Sequence, residues 1–70
     1  MNQRDLYWKS HLEHAAGLHE RMAEMHQAAG NGRLAEDSRR VAAERRIAAS
    51  NMDIGLKPAM DFAKWARNQL

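Results

Sequence analysis

Arg33, Arg39, Arg40, Arg45 and Arg46 put five guanidinium groups within fourteen residues of sequence. Guanidinium forks bind carboxylates and phosphates in a bidentate manner. The chemistry such a cluster could perform is therefore recognition of an anion or of an acidic partner surface. Part of the cluster has a simpler explanation. Glu36 and Arg40 form an i, i+4 pair in the favourable order, and Arg40 and Glu44 form one in the reverse order, as on a solvated helix face. That explanation covers Arg39, Arg45 and Arg46 poorly. Arg45 is the sharpest case. At about 100° per residue, Leu34, Ala35, Ser38, Val41, Ala42, Ala48, Ala49 and Met52 share one side of a helix, and Arg45 falls among them. An arginine on an apolar stripe must snorkel, find a carboxylate such as Glu24, or face something anionic. Arg45, Arg39 and Arg46 are accordingly the candidate ligand- or partner-binding residues.

Two aromatic residues join them. Tyr and Trp are favoured at binding hot spots and stack on bases. Tyr7 opens the first helical pattern and Trp65 flanks the last, whereas Trp8 reads as core. Catalytic and metal chemistry find no comparable support. His11, His14, His19 and His26 include no i, i+4 pair, and no Glu-x-x-His spacing occurs. His11 and His14 could share a face, but zinc needs further ligands. Cysteine is absent. Ser10, Ser38 and Ser50 lie in helical patterns without a glycine-rich elbow, and no phosphate loop or dinucleotide fingerprint is present. The expectation is a protein that is not an enzyme and uses no metal or cofactor.

Three helices would position these groups. Asn2 can cap a helix over about residues 3–29, with Asp5 in its first turn. Trp8, Ala15, Met22 and Ala29 recur every seven residues, with Leu18 and Met25 and then Leu12, His19 and His26 beside them. This is a wide stripe for a partner helix. Gly30-Asn31-Gly32 signals a turn, so a second helix over about 33–53 should return antiparallel to the first. Gly55 suits the left-handed position that closes a helix, and Pro58 suits the start of the next. A third helix over about 58–69 would bury Ala59, Phe62, Ala63, Ala66 and Leu70. The predicted fold class is all-α, an antiparallel helical hairpin plus a short third helix, forming a single small domain over 1–70.

Composition points to association. The chain has 70 residues and is 44% hydrophobic, but alanine makes up a large part of that share. A core built this way is marginal alone, and without cysteine no disulfide can reinforce it. Ala43, Ile47 and Ile54 form a second apolar strip roughly opposite the main face of helix 2. These three are the predicted oligomer interface, and a homo-oligomer is expected. The net charge of +2 is too small to demand nucleic acid. No apolar run approaches the roughly 18 residues of a membrane span. The start of the chain lacks a signal peptide's apolar stretch, and the lack of cysteine suits the cytoplasm.

In size and style the chain resembles small helical proteins of phages and mobile elements. That group includes inhibitors of host enzymes and oligomeric helical hairpins that sequester cyclic-nucleotide immune signals. The likeness is architectural and transfers no residue. The expected function is a non-enzymatic binding protein that engages and blocks a host protein. The alternative is an oligomeric sponge holding a phosphate-bearing small molecule, such as a nucleotide, in an arginine-lined pocket between subunits. Nucleotide screening would separate the two.

Overall fold

A computed structural model describes residues 2–57, and within them the chain is two helices, α1 (Gln3–Ala28) and α2 (Gly32–Met52), packed against each other. No strand occurs among the described residues. The helical hairpin expected from the sequence is therefore present. The predicted third helix, with Trp65, lies outside the described residues.

The ends of both helices follow from a few side chains. The Asn2 side-chain oxygen accepts a hydrogen bond from the Asp5 amide at 2.8 Å, and the Asp5 carboxylate sits in the first turn. Both favour the helix start. At the far end of α1, Gly30 takes φ +79°. Its amide donates to the Gln27 carbonyl at 3.1 Å, and the Asn31 amide donates to His26 at 2.8 Å. This paired pattern is the Schellman closure. Asn31 then caps α2, its side chain accepting from the Leu34 amide at 3.3 Å. One residue thus closes one helix and opens the next, so the turn is short and the helices must run antiparallel. The same closure recurs after α2. Gly55 adopts φ +84°, its amide donates to Met52, and the Leu56 amide donates to Asn51.

The seam between the helices is built mainly of small residues. Ala15, Ala16 and Ala23 of α1 and Ala35, Ser38, Ala42 and Ala49 of α2 are buried. Small side chains let helix backbones approach closely. Larger groups gather at the open end, where Trp8, Leu12, Ala49 and Met52 form one cluster. On α2 the seam keeps a strict seven-residue repeat: Ala35, Ala42 and Ala49 on one line, Ser38, Arg45 and Met52 on the next.

On α1 the expected seven-residue stripe is only half right. Trp8 and Ala15 are buried, but Met22, Leu18, Met25 and Ala29 are exposed. An α-helix drifts about 20° per heptad away from a 3.5-residue repeat. Contact on α1 follows that drift, so Ala23 rather than Met22 meets α2. On α2, Leu34 is likewise exposed and Val41 and Ala48 are only half-buried. The apolar stripe on each helix is wider than the seam.

Two alanine substitutions should have opposite signs. A Cβ at Gly17 or at Gly30 would meet nothing within 4 Å, so backbone alone decides. Gly17 lies inside α1 and Gly30 has positive φ. Gly17→Ala should raise stability, and Gly30→Ala should lower it, each by about 1 kcal/mol. Urea midpoints of the two variants check this.

Candidate functional site

The hairpin has two unlike flanks. Turning one way around α1 from the seam leads to Lys9, Glu13, Glu20 and Gln27. Arg39 and Arg46 of α2, and Asp53 at its C-terminal cap, meet them there. The Arg39 guanidinium donates to the Gln27 side-chain oxygen at 3.3 Å. Arg46 grips Glu20 with two nitrogens, its Nε donating at 3.3 Å. Lys9 Nζ lies 2.7 Å from Asp53 and 3.8 Å from Glu13. Between the last of these pairs runs a shallow open groove of about 180 Å³, lined by Lys9, Glu13, Arg46, Ala49, Ser50 and Asp53. The charged groups in it are matched against one another.

Two of these pairings have an electrostatic signature. The hydrogen bond from Arg46 holds the Glu20 carboxyl below its ordinary value, against the opposing effect of burial. The Asp53 hydrogen bond raises the Lys9 ammonium above its ordinary value. These groups lie at the solvent-facing surface, so the pairs orient the helices more than they stabilise them.

The other flank is apolar. Turning the opposite way leads to Leu18, Met22 and Met25 on α1 and to Leu34, Val41 and Ala48 on α2. Antiparallel packing puts the two polar sides together, and so puts these two sides together. Arg45 stands between the seam and this flank. It is half-buried, and its Nε is buried without a hydrogen-bond partner. Among the described residues Arg45 forms no ion pair, with Glu24 or any other acid.

The predicted binding residues therefore divide. Arg39 and Arg46 face the polar flank and are occupied, while Arg45 stands beside the apolar one. Tyr7 stacks edge-on against His11, with ring centroids 4.4 Å apart. It lies twenty residues from Gln27, about 30 Å along α1, so Tyr7 and Arg39 do not share a site within one chain. Trp65 lies outside the described residues. Ala43 and Ile47 on α2, and Ile54 just beyond it, are exposed in the single chain.

Some pairings were not legible in the sequence. Arg46 finds Glu20 across the hairpin, and Asp53 meets Lys9. Arg40 pairs with Asp37 at 3.1 Å, in place of Glu36 or Glu44. Local spacing alone could not reveal the cross-helix partners, because they depend on the register of the hairpin. Among the described residues no three His, Asp or Glu side chains converge in a metal-binding group. No helix of the described residues is long and apolar enough to cross a membrane.

No model of a protein family, no curated protein and no solved structure matches this chain.

The Glu20–Arg46 pair sets a pH dependence. A carboxyl whose folded value is depressed contributes stability above its unfolded value, and loses it as pH falls through the folded one. Glu20→Gln should therefore lower the melting temperature slightly at neutral pH. The gap to the parent should close in acid, below the ordinary carboxylate range, and should shrink in high salt. Melting curves across pH at two salt concentrations test this.

Proposed function

We propose that the chain is a small non-enzymatic binding protein, self-associating, that engages and blocks another protein, in the manner of helical inhibitors carried by phages and mobile elements. One observation carries the reading: apart from Trp8, Leu12 and Met52 at its open end, the hairpin buries mostly alanine and leaves many of its larger apolar side chains exposed. Leu18, Met22, Met25 and Leu34 are exposed on one flank, and Ile47 and Ile54 are 60% and 73% exposed on the outer strip. Two separate apolar surfaces suit two different contacts. We assign the Ala43, Ile47 and Ile54 strip to self-association and the Arg45 flank to the partner. The occupied charges of the groove near Lys9 and Glu13 offer no free acid–base pair, which supports a binding role over catalysis. The reading takes the protein as cytoplasmic, on the lack of cysteine in its sequence.

A second reading rests on the buried, unpartnered Arg45 Nε, which equally suits the phosphate of a nucleotide held between subunits. Arg39 and Arg46 would have to leave Gln27 and Glu20 to join it. Saturating nucleotide at one hundred times its dissociation constant would stabilise the protein by about 2.7 kcal/mol. A thermal-shift screen showing no phosphate-bearing ligand effect removes this alternative.

The leading reading is tested at Ile47. Ile47→Glu places a charge in the self-association contact, which should cost several kcal/mol. Sedimentation should show the parent as a dimer or larger and the variant as a smaller species. An unchanged mass with helicity intact would contradict the assignment of this strip.

A further inference from the structure

We infer, resting on the self-association reading, that two copies of the chain pair through the outer strip with their α2 helices parallel, Arg39 of each copy meeting Glu44 of the other. The strip is longer than its three apolar members. Glu36, Arg40, Ala43, Ile47, Ser50 and Ile54 follow one another at alternating intervals of four and three residues, and all six are exposed. Such alternation is the heptad seam of a coiled coil, and it lies on the side of α2 turned away from α1. Arg40, Ile47 and Ile54 occupy one set of seam positions, and Glu36, Ala43 and Ser50 the other. Isoleucine in the first set suits a two-stranded pairing.

Charge decides the occupant and its direction. One border of the seam carries Asp37 and Glu44, and the other carries Arg39 and Arg46, all exposed. Antiparallel helices would set acid against acid and base against base. Parallel helices set each basic border against an acidic one, and a basic residue there faces the position five further on in the other helix. Arg39 then faces Glu44 of the second copy, and a two-fold axis makes the contact twice. Both charges are unmatched within the hairpin. Arg39 donates to the neutral Gln27 side chain. Among the described residues it forms no ion pair with a carboxylate, and Glu44 forms none with a cation. On one helix the two stand about 140° apart, on opposite borders, so they do not meet within a chain. Arg40 lies one turn from Glu44 but is held by Asp37 at 3.1 Å. That ion pair also offsets the approach of two Arg40 residues in one layer of the seam. A second copy supplies both rows of charge at the required spacing.

The test mixes two variants of the full chain. Glu44→Arg sets base against base at both contacts, and Arg39→Glu sets acid against acid. Each variant alone should self-associate about tenfold or more weakly than the parent, because two attractive contacts turn repulsive. Mixed in equal amounts, the two should associate again at close to parental strength, each bringing the charge that the other lacks. Sedimentation gives the strength of association, and native mass spectrometry shows whether the restored species holds one copy of each variant. Mixing does not repair a folding defect, so recovery in the mixture reports the contact itself. Variants that associate as the parent does, or a mixture no stronger than its components, would overturn the parallel pairing. If Ile47→Glu still dissociates the parent in that case, self-association through the strip survives without this direction. A parent that stays monomeric at every concentration, its strip covered by its own residues 58–70 or open to a foreign helix, would overturn both.

Discussion

Close contact between α1 and α2 through a seam of small residues is the constraint from which the remaining features follow. Alanine at Ala15, Ala16, Ala23, Ala35, Ala42 and Ala49 brings the helices together but contributes little apolar area per residue. Full burial of a Leu- or Met-sized side chain is worth roughly 1.5–3 kcal/mol, and a methylene only about 0.8. Among the described residues the large buried groups are Trp8, Leu12 and Met52, all at the open end. Toward the turn, Met25 is mostly exposed and Met22 and Leu34 are only partly covered. A thin seam can cover only part of a stripe that spans a wider arc of each helix.

That geometry sorts the side chains into two chemistries. On one flank, complementary charges and a glutamine tie the helices in register, from Lys9 and Asp53 to Gln27 and Arg39. On the other, apolar side chains stand beside an arginine whose Nε has no acceptor. The first flank is satisfied within the hairpin. The second is not, and the proposed function places its partner there for that reason.

Much of this was legible in the sequence because it depends on local chemistry. Asn2 as a cap, the Gly30-Asn31-Gly32 reversal and Gly55 at a helix end all rest on interactions spanning a few residues. Arg45 on the inner side of α2 followed from periodicity. What escaped was non-local. The seven-residue pattern on α1 matched two possible directions, and the drift of a straight helix chose Ala23 over Met22. The acids serving Arg46 and Lys9 are 26 and 44 residues distant. They become neighbours only after the turn fixes the register. Tyr7 and Arg39 were grouped by type, and the length of α1 separates them.

The central claim is that the hairpin is too thin to satisfy its own apolar surface and is completed by association. The concentration dependence of its unfolding tests that claim most directly. Urea midpoints measured from dilute to concentrated protein should rise, because association stabilises the folded state by mass action. A midpoint independent of concentration, with the chain sedimenting as a monomer throughout, would contradict the account.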